Sequence, residues 1–148
     1  MWILKIGKAE KNYHLNNLNL LETRERKTHS RLTRNSKIFK TILHAIHEKK
    51  GEHVVSLDLR KIAEAVTDFF IICEASNPIQ LKTIADSVEM EVKQKCGEFP
   101  FKVSGQQGEN WILIDYINIV VHIMLEEPRK FYKLEEMWSD ADVKEHNI

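Results

Sequence analysis

The stretch that decides the fold is Asn110-Trp-Ile-Leu-Ile-Asp-Tyr-Ile-Asn-Ile-Val-Val-His-Ile-Met-Leu-Glu-Glu-Pro-Arg-Lys-Phe-Tyr-Lys-Leu-Glu-Glu-Met-Trp138. Two apolar runs rich in β-branched residues, 111–115 and 119–125, flank a short polar break. This pattern is typical of two strands joined by a tight turn. The stretch therefore predicts a β-hairpin that is followed at once by a C-terminal helix.

The predicted closing helix covers residues 128–137. Pro128 fits its first position, because the N–H that proline lacks would be unpaired there in any case. Phe131, Leu134 and Trp138 recur at helical spacing and form its apolar stripe, with Tyr132 one position off that stripe. Residues 142–148 are expected to follow as an acidic tail.

Upstream of the hairpin the chain alternates helix and strand patterns. Ser36 fits the N-cap of a first helix that ends near Gly51. Asn77 and Pro78 open a second helix, which Gly97 ends. Strands are predicted over residues 53–58, 68–74 and 99–104, the second of them central and the third at a sheet edge, since Pro100 cannot complete a ladder.

The expected fold is α/β of the α+β type, in the order α-β-β-α-β-β-β-α, with helices packed on a mixed sheet of about five strands. A chain of 148 residues suits one domain with a substantial core. No apolar run approaches the length of a membrane span, and the apolar start is too short for a signal peptide. Cys73 and Cys96 are typical of thiols in a reducing compartment, so we expect a cytoplasmic protein.

Charge is distributed unevenly, although its total is zero. Residues 1–40 carry ten Lys and Arg against three Asp and Glu, a net charge of +7, and residues 41–148 carry twelve against nineteen, a net charge of −7. An acidic body binds phosphate backbones poorly and suits a basic protein surface better. Residues 1–35 are expected to form a basic, mobile arm. A nucleic-acid contact of this arm and a transit peptide are the alternatives.

Two motifs suggest chemistry but lack the residues that it requires. Gly105-Gln-Gln-Gly108 fits the Gly-x-x-Gly of RNA-binding KH domains, yet strands flank it and its middle residues are uncharged, which favours a plain turn. His44 and His47 could share a metal ion, but no third ligand stands near them. Half-buried or surface histidines are the favoured interpretation.

The segment Ala75-Ser76-Asn77 ends a strand and begins a helix, where nucleotidyltransferase folds hold phosphate. Those enzymes also need two carboxylates, one residue apart on the next strand, to hold Mg²⁺. Asp115 stands alone at that place, and Asp140-Ala-Asp142 lies near the C-terminal end. We therefore expect no catalytic residue, no metal site and no cofactor.

Several large or polar side chains surround the hairpin. Asp68 and Asp115 fit turns or partner contacts, and His122 fits a hydrogen-bonded core histidine. Trp111, Tyr132 and Trp138 fit core packing, but Trp and Tyr are also preferred anchors of protein interfaces. Arg129 opposes the dipole of the predicted closing helix near its start, which suggests a carboxylate partner in this domain or on another protein.

At these residues the sequence resembles a known family. The matching pieces are Ala65-Val-Thr-Asp-Phe-Phe-Ile-Ile-Cys73, Gln80 with Ile84-Ala-Asp86, Val103-Ser-Gly105, Trp111-Ile-Leu-Ile-Asp-Tyr116, Val120-Val-His122 and Arg129-Lys-Phe-Tyr-Lys-Leu-Glu135 with Trp138. In this order and at this spacing they resemble the ribosomal silencing factors, also called RsfS or Iojap-like proteins, over residues 36–141. Ala75 and Asn77 depart from the family pattern, which weakens the idea of a retained phosphate site.

The resemblance implies a fold related to nucleotidyltransferases without their activity. It implies binding to the large ribosomal subunit through ribosomal protein L fourteen, so that subunit joining is blocked and translation is repressed under starvation. A homodimer, no membrane contact and only incidental contact with ribosomal RNA are also implied. The expected partner-binding region, whether its members form the interface or shape it, consists of Trp111, Asp115, Tyr116, His122, Arg129, Tyr132 and Trp138. A nucleotidyltransferase-fold enzyme and an RNA-binding module that uses the basic arm are the alternative functions.

Overall fold

A computed structural model describes residues 32–147. The elements in chain order are α1 (Lys37–Glu48), β1 (Glu52–Asp58), β2 (Phe69–Ala75), α2 (Pro78–Cys96), β3 (Lys102–Ser104), β4 (Trp111–Asp115), β5 (Ile119–Leu125), α3 (Glu126–Tyr132), α4 (Leu134–Met137) and β6 (Asp142–Glu145). The strands form one sheet in the order β3-β4-β5-β2-β1-β6. The predicted α+β fold with a mixed sheet is confirmed, with six strands in place of about five.

The centre of the sheet is the parallel pair β2 and β5, which runs in register from Phe69 and Ile119 to Ala75 and Leu125. Nearly every residue of both strands is buried, as the apolar run in β2 predicts. All other strand pairs are antiparallel. Helices α1 and α2 cover one face of the sheet, and α3, α4 and Trp138 cover part of the other.

Helix α2 has the ends that the sequence predicts. The Asn77 side chain accepts a hydrogen bond from the Gln80 N–H at 2.8 Å, Pro78 opens the helix, and Gly97 ends it with a left-handed φ of 66°. The N-cap of α1 differs from the prediction. Ser36 precedes α1, but its hydroxyl accepts from the Thr33 N–H at 2.9 Å and not from the helix.

The closing helix is broken, which the sequence does not predict. Lys133 has a left-handed φ of 46° between α3 and α4, so helical spacing does not continue across it. Phe131 consequently leaves the stripe that Leu134 and Trp138 form: it is 77% exposed, whereas both of the others are buried. Pro128 lies at the third position of α3 and not at its first, because the helix begins at Glu126.

The predicted acidic tail contains a sixth strand. Strand β6 pairs with β1 in antiparallel register, Val55 opposite Glu145 and Asp58 opposite Asp142. All four of its side chains are exposed, so no apolar alternation marks it in the sequence. Backbone pairing and polar contacts hold it, and only the tertiary structure reveals it.

Arg34 connects β6 to the body of the protein. Its Nε donates to the Ser56 hydroxyl at 2.8 Å, and its two terminal nitrogens donate to the Asp142 carboxylate at 2.9 Å and the Asp142 carbonyl at 2.8 Å. The Ser56 hydroxyl also lies 2.7 Å from His146 Nε2. Residues 32–35, which the sequence assigns to the arm, thus contact the body; the rest of the predicted arm, 1–31, lies outside the described residues.

The contact around His146 predicts a loss of stability on mild acidification. Burial lowers the pKa of His146 from 6.5 to about 4, and the nearby charges of Lys144 and Arg34 add to the effect. The unfolded chain therefore takes up a proton near pH 6.5 that the folded chain takes up only near pH 4, so stability falls as pH falls through this window. Between pH 6.5 and about 4, the urea midpoint of the wild type should therefore fall more steeply with falling pH than the midpoint of His146→Gln. Parallel pH profiles of the two proteins would contradict this account.

Two glycines allow a matched test of backbone packing. Gly105 has φ of 80°, and a Cβ there would lie 2.0 Å from the carbonyl oxygen of Trp111. Gly97 has φ of 66°, but a Cβ there would meet nothing within 4 Å. Gly97→Ala should cost only about 1–2 kcal/mol for its left-handed backbone, whereas Gly105→Ala should cost at least about 3 kcal/mol because strand β4 must also move. Chemical denaturation of the two variants measures the difference, and equal losses would show that the close approach is unimportant.

Candidate binding surface

A chain of rings in edge-to-face and tilted contact, here called the aromatic cluster, joins the core to the surface beside β4 and α3. Its members are Phe70, Trp111, His122, Phe131, Tyr132 and Trp138. Ring centroids lie 5.0 Å apart for Trp111 and Tyr132 and 4.9 Å apart for Phe131 and Tyr132. At the inner end Phe70 contacts His122 at 4.5 Å and Trp138 at 5.9 Å. Such edge-to-face and tilted contacts add to the stability gained by burial.

Exposure divides the aromatic cluster into a base and a tip. His122, Trp111 and Trp138 are buried, Tyr132 is half-buried, and Phe131 projects into solvent. The buried rings form the base and hold Tyr132 in place from below. The tip, formed by Phe131 and Tyr132, is thus an exposed aromatic group supported by the core. Rigid, exposed aromatic side chains are preferred anchors of protein interfaces, because little conformational entropy is lost when they bind.

The base is fixed by one hydrogen bond within the hairpin. Trp111 Nε1–H donates to His122 Nδ1 at 3.2 Å, so neutral His122 carries its proton on Nε2. His122 is fully buried. The interpretation of His122 as a hydrogen-bonded core histidine is confirmed.

A charged cleft of about 750 Å³ opens beside the cluster, between β6 and the connection from α3 to α4. At its centre Arg129 donates to Glu135 at 3.0 Å and lies 3.8 Å from Glu74. The predicted carboxylate partner of Arg129 therefore exists within the domain. The dipole argument behind that prediction is wrong, since Arg129 occupies the last turn of the short helix α3, where a cation is favourable.

Four carboxylates and three cationic side chains lie on the rim of this cleft. Glu74, Glu135, Glu136 and Glu145 line it together with Arg129, Lys130 and Lys133. Arg129 is already engaged by two of the carboxylates, and Lys130 forms an ion pair with Glu126. The cleft therefore offers acceptors to an incoming cationic side chain more readily than donors to an anion.

Two of the seven predicted site residues lie away from the aromatic cluster and the cleft. Asp115 and Tyr116 occupy the turn between β4 and β5, at the opposite end of the hairpin from Trp111. The Asp115 carboxylate accepts from the Ile117 N–H at 2.7 Å, the turn contact that the sequence favours. Tyr116 belongs to the core under α1 and α2, and burial raises the pKa of its hydroxyl. Trp111, His122, Arg129, Tyr132 and Trp138 are the residues that the fold brings together.

The strand end that resembles a phosphate cradle is filled by the protein itself. The N–H and hydroxyl of Ser76 both donate to the Gln80 side-chain oxygen, at 2.7 and 2.8 Å. The Gln80 amide in turn donates to the carbonyls of Lys49 and Lys50 at 3.1 Å each. The donors that would hold a phosphate at this helix start are thus already used.

The other candidate motifs have structural roles. Gly105 and Gly108 form a turn closed by one backbone hydrogen bond of 3.0 Å, as predicted. His44 Nδ1 lies 2.8 Å from Glu91, and His47 Nε2 lies 3.0 Å from the His146 carbonyl. Within residues 32–147 no group of three His, Cys, Asp or Glu side chains is arranged to hold a metal ion. No helix in that range is long and apolar enough to cross a membrane.

Phe131 and the cleft carboxylates are the site residues that the sequence does not single out. Phe131 follows the periodicity of a buried residue. Lys133 does not signal a helix break in the sequence, because lysine rarely adopts the left-handed conformation that Lys133 has here. Glu74 belongs to a buried strand, and its contact with Arg129 spans 55 positions, counted from 74 to 129.

The fold and this geometry define a class: an α+β protein whose mixed sheet supports an aromatic and acidic surface. The sequence model of the family described as "Ribosomal silencing factor during starvation", RsfS, matches residues 33–148. The chain belongs to this family.

Individual relatives agree with this assignment. The ribosomal silencing factor RsfS of Halalkalibacterium halodurans is 33% identical over 107 residues, which cover 72% of this chain and 90% of the relative. The mouse protein named "Mitochondrial assembly of ribosomal large subunit protein 1" is 32% identical over 75 residues, which cover 49% of this chain and 33% of that protein. A crystal structure of a Chromobacterium violaceum protein superimposes with a TM-score of 0.66 at 28% identity, over 70% of this chain and 84% of the other.

Substitutions in the aromatic cluster should separate core from surface. Trp111→Ala removes a ring that is 5% exposed and should lower the free energy of unfolding by about 3–5 kcal/mol. Phe131→Ala removes a ring that is 77% exposed and should change it by no more than about 0.5 kcal/mol. Urea denaturation followed by tryptophan fluorescence and circular dichroism measures both. A large loss for Phe131→Ala would place its ring in the core.

Proposed function

We propose that this protein silences ribosomes by binding the large subunit through ribosomal protein L fourteen and keeping the small subunit from joining. Translation is repressed in this way under starvation. Membership of the ribosomal silencing factor family and the name of the mouse relative support the ribosome as the target. L fourteen as the specific partner follows from the family resemblance in the sequence.

The observation that carries the proposal is the tip of the aromatic cluster. Phe131 and Tyr132 present an apolar surface that is rigid from below and open to solvent above. A protein does not gain stability from a phenylalanine held in water, whereas an interface gains from such an anchor. Trp111, His122 and Trp138 are then positioning residues, which hold the tip without contacting the partner.

The charges next to the tip suit a basic partner. The cleft beside α3 and α4 has Glu74, Glu135, Glu136 and Glu145 on its rim. The chain from residue 41 to 148 has a net charge of −7. Opposite charge speeds encounter and fixes orientation, while the aromatic anchors slow dissociation. A cationic side chain of the partner would find carboxylates in the cleft while an apolar residue packs on Phe131.

Silencing requires only that the protein occupies space. A specific interface of about 600–1,000 Å² per partner is enough for stable binding. A folded body of more than 110 described residues, 32–147, then projects from the joining face of the large subunit. The small subunit cannot occupy the same volume, so no chemical step is needed. The homodimer that the resemblance implies stays a prediction.

A substitution at the tip should weaken binding strongly while the fold stays intact. Phe131→Ala should weaken binding to purified large subunits by about 2 kcal/mol or more, roughly 30-fold, as expected of a central anchor. In sucrose gradients, large and small subunits should then associate normally in the presence of the variant. Its thermal midpoint should match that of the wild type.

Ile79→Ala is the matched control, because Ile79 is 80% exposed at the start of α2, on the other helix layer. This variant should bind and block subunit joining like the wild type. If Phe131→Ala blocks joining as well as Ile79→Ala does, the aromatic tip is not the interface. If saturating wild-type protein leaves joining unaffected, the proposed function itself is wrong.

A further inference from the structure

The C-terminal strand β6 is held more by polar contacts than by burial. In the sheet of residues 32–147 it is the last strand at its edge, so its backbone pairs with one strand only, β1. All four of its side chains are exposed, so burial of apolar surface contributes little to its position. Apart from the pairing with β1, a small group of polar contacts at its two ends keeps it in place.

These contacts meet at Ser56 of β1, which is fully buried. The Arg34 Nε–H donates to the Ser56 hydroxyl at 2.8 Å, and His146 Nε2 lies 2.7 Å from the same oxygen. Arg34 also contacts the start of β6 at Asp142, and His146 follows the end of the strand. The four residues Arg34, Ser56, Asp142 and His146 are here called the β6 latch.

The β6 latch fits a neutral His146. The Ser56 hydroxyl accepts from Arg34, so its hydrogen can be donated to an unprotonated His146 Nε2. The His47 Nε2–H of α1 donates to the His146 carbonyl at 3.0 Å, and the Phe39 ring lies against the imidazole with centroids 5.7 Å apart. A charged imidazole would lose the hydrogen bond from Ser56, because both of its ring nitrogens then carry hydrogens.

An imidazolium at this position would also face other cations. Lys144 of β6 and Arg34, which precedes α1, carry positive charge close to the ring, and His47 of α1 adds a further charge when it is protonated. The acidic member of the latch, Asp142, is paired with Arg34 at 2.9 Å. Burial and, after it, these charges lower the pKa of His146 from 6.5 to about 4, so the ring is neutral at pH 7.

Release of β6 would change the charged cleft but not the core. The hydrophobic core on either face of the sheet includes no residue of β6, so this strand can leave β1 while the core stays packed. Val143, Glu145 and the following Asn147 line the cleft, however, on the side away from the connection between α3 and α4. Without β6 the cleft loses this wall together with one of its four carboxylates.

We propose that protonation of His146 releases β6 from β1 and thereby opens one side of the charged cleft. Between pH 7 and pH 5 the population with β6 released should rise about 20-fold, since the pKa of His146 is 6.5 when the ring is free and about 4 in the closed latch. The consequence for the ribosome, weaker binding of a basic partner at low pH, rests on the proposed function. The release itself is a property of the isolated protein.

Amide hydrogen exchange of the full chain tests the release. The His146 amide, which donates to the Val54 carbonyl at 2.8 Å, reports it directly. Its protection factor, corrected for the intrinsic effect of pH on exchange, should fall about 20-fold between pH 7 and pH 5. Low concentrations of urea should hardly change this protection, because release of β6 exposes little surface, whereas protection of the β2 amides should fall steeply with urea.

Two variants complete the exchange experiment. In His146→Gln the side chain can still hydrogen-bond to Ser56 but takes up no proton in this range, so protection at position 146 should change by less than about twofold between pH 7 and pH 5. His53→Gln is the matched control, because His53 is an exposed histidine of β1 that lines the same cleft. This variant should keep the pH response of the wild type. Thermal midpoints at both pH values verify that each variant is folded.

Binding to purified large subunits separates the latch from the proposed function. The wild type should bind more weakly at pH 5.5 than at pH 7, and His146→Gln should lose less affinity over the same range. An equal pH dependence of protection in the wild type and in His146→Gln would overturn the latch. Equal affinities of the wild type at both pH values, with β6 released at the lower one, would overturn its link to the cleft. If the wild type binds no large subunits even at pH 7, the proposed function is wrong, and the exchange data still decide the latch.

Discussion

The parallel pairing of β2 with β5 is the interaction on which the rest of the structure depends. Both strands are buried on both faces, so every backbone group in them must be paired within the sheet. Because the two strands are parallel, their C-terminal ends meet at one edge, where the chain leaves β2 into α2 and β5 into α3. These helices cover opposite faces of the sheet. The protein thereby acquires two different surfaces that are held rigidly with respect to each other.

The surface beside α3 depends on a single backbone conformation. A continuous helix over residues 128–137 would turn Phe131 toward the core, in line with Leu134 and Trp138. The left-handed Lys133 breaks that line, and Phe131 faces solvent while Trp138 still packs on Phe70. A non-glycine residue in this conformation costs free energy, and such costs are often retained where function needs the resulting geometry. The strained residue lies between the aromatic tip and the carboxylates of the cleft.

Strand β6 shows how polar contacts complete a sheet edge. Its side chains are exposed and contribute little hydrophobic stabilisation, so its position depends on backbone pairing with β1 and on Arg34. Arg34 contacts Asp142, which lies 108 positions further along the chain, and this contact brings the segment before α1 next to the C-terminal strand. The two ends of the described chain are thus coupled through one guanidinium group and the buried hydroxyl of Ser56.

The sequence by itself determined the core of this protein. The apolar runs of β2, β4 and β5 identify the buried strands, since such runs are stable only in the interior, and Asn77, Pro78 and Gly97 set the ends of α2 through local hydrogen bonds and backbone preferences. Local chemistry also placed the turns at Asp115 and at Gly105. Only the tertiary structure decided the break at Lys133, the exposure of Phe131 and the pairing of β6. Each of these arises from contacts between residues far apart in the chain, or from a strained conformation that such contacts stabilise, and neither leaves a periodic signal in the sequence.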